Sequence, residues 1–109
     1  MKGDRLGEFE ELTLLAVAGL GPDAYGVSVQ LLLEKEMRRE VSMGAVYAAL
    51  ERMERKGFLD SSLGEATAAR GGKRKRLFEA TREGRRTVQD VRRVRDAIWR
   101  AIETAKDTR

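Results

Sequence analysis

The residues best suited to a chemical role in this chain form a run of basic side chains, Arg70-Gly-Gly-Lys-Arg-Lys-Arg76. Residues 70–95 hold 11 basic and 3 acidic side chains, whereas residues 1–69 carry a net charge of −4. Such a concentration of cations can bind a polyanion. It indicates nucleic acid before a membrane, because no matching apolar face marks a helix that lies on lipid. The alternative interpretation is a basic segment that is merely solvated.

The composition removes most catalytic chemistry. The 109 residues include no cysteine and no histidine, which excludes disulfides, thiol nucleophiles, zinc fingers and the usual acid–base residue of neutral-pH catalysis. The acidic residues mostly fall on predicted exposed helix faces, and no glycine-rich nucleotide loop follows a strand. We therefore expect no enzyme, no metal site and no cofactor.

The length fits one domain with a small core, which makes oligomerisation a reasonable expectation. The longest apolar stretch, Leu12 to Leu20, is too short to span a membrane, and no signal peptide opens the chain. These features predict a cytoplasmic protein with no membrane partner.

Three helices must position the basic segment. They are predicted over Gly7–Leu20, from about Asp23 to Arg39, and from an N-cap at Ser42 to Lys56. Each helix has one apolar stripe. In the first it is Phe9, Leu12, Leu15, Ala16 and Gly19, in the second Val29, Leu32, Leu33 and Met37, and in the third Val46, Ala49, Leu50 and Met53. Alternation predicts two strands, Phe58–Leu63 and Lys75–Ala80, joined as a β-hairpin by a long polar connection.

A last helix is predicted from a cap at Thr81 to about Ala105. Its apolar residues follow the alternating three- and four-residue steps of a helix–helix seam. At ~37 Å for ~25 residues, it overhangs the core that the other elements can build. A second copy of the same helix is the simplest cover for its distal face. The predicted dimer interface comprises Val88, Val91, Val94, Arg95, Ile98, Trp99 and Ile102.

This order of elements predicts a mainly α (α+β) fold, a winged helix-turn-helix of three helices plus a β-hairpin wing, then a long C-terminal dimerisation helix. Residues 1–80 form the predicted winged-helix DNA-binding domain and residues 81–109 the dimerisation helix, within one compact unit. The major groove of B-DNA admits one helix, and small residues at the start of the third helix allow close approach. The wing cations can follow the phosphates or enter the minor groove.

Three motifs carry a family resemblance. They are Gly21-Pro-Asp-Ala-Tyr25-Gly26-Val-Ser-Val29, the stretch Ala45-Val46-Tyr47 to Gly57-Phe58-Leu59, and Lys75-Arg-Leu-Phe78-Glu-Ala-Thr81-Arg-Glu-Gly84. In this order and spacing they resemble the PadR family of transcriptional regulators over roughly residues 8–85. The chain departs from the family pattern at Ala45, Phe78 and Ala80, where threonine, tyrosine and leucine are usual.

The resemblance implies a homodimer that binds double-stranded DNA, usually as a repressor, with a single C-terminal helix as in the short branch of the family. A pseudo-palindromic operator is expected, with half-sites about one helical turn, or a little more, apart. The predicted DNA-binding residues are Tyr25, Ser42, Met43, Gly44, Tyr47, Arg70, Lys73, Arg74 and Lys75. Tyr25 either contacts phosphate or packs beneath the first helix, and Tyr47 contacts DNA or is structural.

Two residues of the seam have a second interpretation. Trp99 either anchors the dimer or forms a stacking wall for a small aromatic effector, as the drug-sensing branch of the family suggests. Arg95 either extends to water or binds an anionic ligand. For the whole chain, the alternative to DNA binding is a winged-helix module that pairs with another protein, which the acidic first 69 residues would permit.

Overall fold

A computed structural model describes residues 6–66 and 74–107. The elements in chain order are α1 (Glu8–Leu20), a 3₁₀ turn (Gly21–Asp23), α2 (Gly26–Met37), α3 (Met43–Arg55), β1 (Leu59–Ala66), β2 (Arg74–Ala80) and α4 (Arg82–Asp107). Three short helices, an antiparallel hairpin and a long final helix confirm the predicted winged-helix architecture.

The buried face of α1 differs from the predicted stripe. Thr13, Leu14 and Val17 are buried at helical spacing with Glu10, whereas Leu15 is 42% exposed. The prediction is therefore wrong for Leu15 and Gly19, which are exposed, and confirmed for Ala16, which is buried. The expectation of exposed acidic residues is wrong at Glu10 and Glu11. A helix that is apolar nearly all round gives a weak signal for which side is buried.

α2 is shorter than predicted at both ends. Pro22 lies in the 3₁₀ turn, and the helix begins only after Tyr25, whose backbone N–H donates to Ser28 Oγ at 3.0 Å. It ends at Arg38, which adopts a left-handed conformation with φ of 58°. Its predicted stripe is confirmed, since Val29 and Leu33 are buried and Leu32 and Met37 pack against the same core.

α3 matches the prediction closely. Ser42 Oγ accepts a hydrogen bond from the Ala45 backbone N–H at 3.0 Å, so the N-cap is confirmed. Gly57, with a φ of 86°, ends the helix in the conformation that glycine tolerates best. All four residues of its predicted stripe are buried.

The hairpin is longer than predicted, with Leu59 opposite Ala80 and a register shift between Leu63 and Ala66. A third short segment joins it. Tyr25 forms an antiparallel bridge with Leu77, and the Phe78 N–H donates to the Ala24 carbonyl at 2.9 Å. The wing is thus hydrogen-bonded directly to the segment that precedes α2.

α4 is attached to the core through its first turns. Thr81 Oγ1 accepts from the Gly84 N–H at 3.0 Å and donates to the Gly57 carbonyl at 2.7 Å. Gly84 packs so closely on the Phe58 carbonyl that any Cβ there would collide with it. Val88 is in the core, and every described side chain from residue 92 to 106 is exposed. None of the helices described is long and apolar enough to cross a membrane.

Candidate nucleic-acid interface

The first turn of α3 is an open surface. Ser42, Gly44 and Ala45 are exposed, and no atom lies within 4 Å of the place where a Cβ on Gly44 would be. Free N–H groups and the positive end of the helix dipole make such a turn suitable for approach to phosphate or base edges. Met43, one of the predicted DNA-binding residues, is half-buried and packs against the core.

Tyr47 lies between this surface and α2. Its phenol ring rests on Gly26, where a Cβ would overlap the hydroxyl and the adjacent ring carbons. The side chain is nevertheless 38% exposed, so the ring packs while part of it faces solvent. The sequence motif marks Gly26 without giving the reason for a glycine, and this contact supplies it.

Tyr25 packs against the wing. Lys75 Nζ lies 4.1 Å above the centroid of its ring, a cation–π contact next to the bridge with Leu77. Tyr25 is half-buried, as is Lys75. The contact holds the Lys75 ammonium on the same side of the hairpin as the start of α2.

Two arginines of the wing, Arg74 and Arg76, donate hydrogen bonds within the protomer. Arg76 Nη2 lies 2.7 Å from Glu54 Oε1, and its Nε donates to Ser61 Oγ at 3.2 Å, so this cation is bound to α3 and β1. Arg74 is exposed and donates to the Gly64 carbonyl at 2.6 Å. Arg76, which belongs to the basic run, is therefore a structural cation. Arg70 and Lys73 lie outside the described residues.

Two buried carboxylates, which sequence reasoning placed in solvent, link α1 to other elements. Glu10 accepts hydrogen bonds from Arg52 Nε at 2.6 Å, from Lys56 Nζ at 3.3 Å and from the Gly7 N–H at 3.2 Å. Burial opposes its ionisation, but these donors outweigh burial and lower the pKa of Glu10 below its ordinary value. The available signal was its spacing from Thr13, Leu14 and Val17 on one helix face.

Glu11 pairs with Arg95 of α4. Arg95 Nη2 lies 2.9 Å from Glu11 Oε1 and its Nε lies 3.0 Å from Oε2. The hydrogen bonds and the negative charge of Glu11 raise the pKa of Arg95 further above its already high value. The sequence placed Arg95 at the dimer interface, extended to water or bound to an anionic ligand, whereas its guanidinium pairs with a carboxylate of its own protomer.

The predicted seam on α4 begins later than expected. Val88 is only 8% exposed and lies in the protomer's own core, so its assignment to a dimer interface is corrected. Val91 is half-buried. The four remaining apolar residues of the seam are exposed large side chains: Val94, Ile98, Trp99 and Ile102.

Nothing in residues 6–66 and 74–107 suggests a metal centre, since no three acidic, histidine or cysteine side chains are grouped to hold an ion. The groups brought together are instead the open turn of α3, Tyr25 at the start of α2 and the cations of the wing.

Comparison with solved structures shows that the fold is shared with known regulators. A PadR-like transcription factor from Bacteroides fragilis superposes with a TM-score of 0.71 at 21% identity, covering 88% of this chain and 87% of that one. A PadR-like transcriptional regulator from Bacillus cereus superposes with a TM-score of 0.72 at 18% identity, and the match covers 88% of each chain. Streptococcus pneumoniae FabT, solved in complex with DNA, superposes with a TM-score of 0.67 at 22% identity, covering 91% of this chain and 61% of that one.

The sequence comparisons assign the family. Among curated proteins there is no significant match. A family model described as the transcriptional regulator PadR-like family matches residues 14–90, well over half of the chain, and it describes regulators and not enzymes. The match includes α2, α3, the hairpin and the start of α4. The chain belongs to the PadR-like family of transcriptional regulators.

Proposed function

We propose that the chain is a sequence-specific DNA-binding repressor that binds a pseudo-palindromic operator as a homodimer. The observation that carries this proposal is the exposed first turn of α3, which is connected to the wing through the contact of Tyr47 with Gly26 and that of Tyr25 with Lys75. FabT, which shares the fold, was solved with DNA. Such a regulator acts where the DNA is, so we place it in the cytoplasm.

The proposed reading element is the turn from Ser42 to Tyr47. Gly44 and Ala45 have no bulk to hold the helix away from the groove floor. The Ser42 hydroxyl is used as an acceptor by its own helix, which leaves its proton free to donate to a phosphate or a base edge. The exposed part of Tyr47 lies next to the same surface, while its packed part fixes the orientation of α3.

The proposed phosphate contacts come from the wing and from the start of α2. Arg74 and Lys75 lie on the hairpin stem, with Arg70 and Lys73 beside them in sequence. The Lys75 ammonium lies above the ring of Tyr25, and a cation on a ring face can still donate to a phosphate oxygen. Neutralising several phosphates makes affinity depend steeply on salt.

The proposed dimer is joined by the distal part of α4. Its four exposed apolar residues follow one side of a helix that projects beyond the core. A monomer would leave this face in water, and a second α4 packed against it would bury both faces symmetrically. Trp99 is the largest of these residues, and a small aromatic effector stacked on it would act at the same interface.

The test begins with random duplex DNA at low salt and continues with selection of bound fragments by the purified protein. We expect non-specific binding in the first experiment and an inverted repeat in the second, with half-sites about one turn apart. Absence of any binding to random duplex at low salt would favour the alternative, a winged-helix module that binds another protein. Selected fragments without inverted symmetry would contradict the dimer.

A further inference from the structure

Among the described residues, Glu11 of α1 and Arg95 of α4 form an ion pair that joins the two helices. It joins side chains 84 positions apart through two hydrogen bonds of 2.9 and 3.0 Å. The described side chains of residues 96–106 that follow it are all exposed. The pair therefore lies at the boundary between the attached and the projecting parts of α4.

The other restraints on α4 are near its N-terminus. Thr81 caps the helix, Gly84 packs on the Phe58 carbonyl, and Val88 is inserted in the core. A helix held only by its first two turns can change direction about that point. Arg95 adds a restraint roughly 20 Å further along the helix axis from Arg82, at 1.5 Å per residue.

The geometry of the pair is suited to setting a direction. Arginine presents a rigid planar fork to a carboxylate, which restricts angle as well as distance. The Glu11 side chain is only 11% exposed and its position is fixed by the core, whereas Arg95 is 67% exposed. An ion pair with so exposed a partner contributes little to folding. Its main physical effect is on the orientation of α4.

We infer that Glu11 and Arg95 are positioning residues that set the direction of α4 and thereby the half-site spacing that the dimer accepts. This rests on the proposed function, in which the distal parts of two α4 helices join two α3 reading elements. A tilt of about 10° at Arg95 would move the end of α4, ~18 Å away, by ~3 Å. That displacement is comparable to the ~3.4 Å step between base pairs.

The first test compares Arg95→Gln and Glu11→Gln with Arg92→Gln. The control removes an arginine from the same helix and breaks a 3.3 Å pair with Asp96, without involving α1. Each protein is titrated against duplexes in which the selected half-sites are moved apart by one base pair at a time. In the wild type, the affinity ratio between the best spacing and its neighbours is expected to be large. Both test variants should lower it by about fivefold or more, at the lower end of coupling between linked sites.

The thermal midpoint separates orientation from folding. We expect the two test variants to melt within a few degrees of the control, since the pair is largely exposed on its Arg95 side. A spacing profile unchanged in Arg95→Gln would overturn the inference, and so would an equal loss of discrimination in Arg92→Gln.

A second measurement is independent of DNA. The chain has no cysteine, so Lys35→Cys and Glu103→Cys can carry spin labels on α2 and on distal α4. Labelled chains diluted into unlabelled protein report the distance within one protomer. Arg95→Gln should broaden that distance distribution, while Arg92→Gln should leave it unchanged; equal widths would overturn the inference. If the wild type binds no DNA, the proposed function fails, and this measurement still tests the direction of α4.

Discussion

Gly26 and Tyr47 show how a single missing side chain can position a reading element. The ring of Tyr47 occupies the space that any Cβ at Gly26 would need, so the contact fixes how α3 lies against the start of α2. The same ring is partly exposed beside the open turn of α3. A residue that is half packed and half exposed in this way can transmit a change in packing directly to the proposed DNA surface.

Gly26→Ala is expected to lower the free energy of unfolding by about 1–3 kcal/mol, the usual cost of overpacking. This loss should exceed the gain of about 0.5–1 kcal/mol that alanine brings to a helix. Gly44→Ala is the matched control, because Gly44 is also in the first turn of a helix but faces open space. Chemical denaturation measures both. Equal stability of the two variants would show that Tyr47 does not occupy the space beside Gly26.

Glu10→Gln is expected to destabilise the protein by about 1–2 kcal/mol at pH 7, because it removes a hydrogen-bonded carboxylate from beside Arg52 and Lys56. Since the pKa of Glu10 is lowered on folding, its contribution is complete above the unfolded value of about 4.3. The contribution disappears as the pH falls through the lower folded value. The difference between wild type and Glu10→Gln should therefore shrink in acid.

Urea unfolding at neutral and acid pH measures this difference, with the exposed Glu51→Gln as control. A Glu10→Gln deficit that is the same at both pH values would contradict the lowered pKa. The spacing of Glu10 from Thr13, Leu14 and Val17 indicates which helix face it shares, but its role as an ion-pair partner was not predictable from the sequence. Its partner Arg52 is 42 positions away, and a glutamate on a helix is exposed in most proteins. Only the folded contact between α1 and α3 identifies it.

At the scale of elements, the wing is one pair of strands whose two faces contact different parts of the protein. Successive side chains of a strand point to opposite sides, so Lys75 lies on the other face of the hairpin from Arg74 and Arg76. Arg76 turns toward α3, where Glu54 and Ser61 bind it. Lys75 turns toward Tyr25. The hairpin is thereby joined to α3 on one face and to the segment before α2 on the other.

This division predicts different salt dependences for two neighbouring cations. In a plot of log affinity against log salt concentration, Lys75→Gln should reduce the slope by about one, as expected when one phosphate contact is lost. Arg76→Gln should leave the slope nearly unchanged and lower stability by at most about 1 kcal/mol, because its pair with Glu54 is partly exposed. Fluorescence anisotropy with a labelled duplex measures both slopes. The assignment is wrong if Arg76→Gln flattens the slope as much as Lys75→Gln does.

The elements themselves were largely predictable, and their faces less so. The caps at Ser42 and Thr81 and the turn at Gly57 are local signals, and each lies where the sequence predicts. The position of Val88 was not predictable, because heptad spacing does not distinguish a partner helix from the protomer's own core. Which surface covers Val88 depends on where α4 crosses α1, and that is a tertiary property.

At the scale of the whole molecule, α4 makes the protomer long. The radius of gyration is 16.4 Å and the longest dimension is 61 Å. A compact chain of this length would have a radius of gyration of about 13 Å. The excess comes from a helix of 26 residues whose distal half has exposed apolar side chains. This shape is unfavourable for a monomer in water and suits one half of a symmetric pair.

The dimer can be tested by placing one carboxylate on either side of α4. Ile98→Glu puts a charge in the proposed seam and should weaken association about a hundredfold or more, since an unpaired buried charge is costly. Gln89→Glu makes the same change in charge half a turn away from the seam, on an exposed face, and should leave association unaffected. Sedimentation measures the dissociation constants. Trp99, the sole tryptophan, gives an independent signal, because its emission should move to longer wavelength when dilution exposes it. A wild type that remains monomeric throughout the concentration range, or an equal effect of the two substitutions, would mean that this face of α4 does not join the protomers.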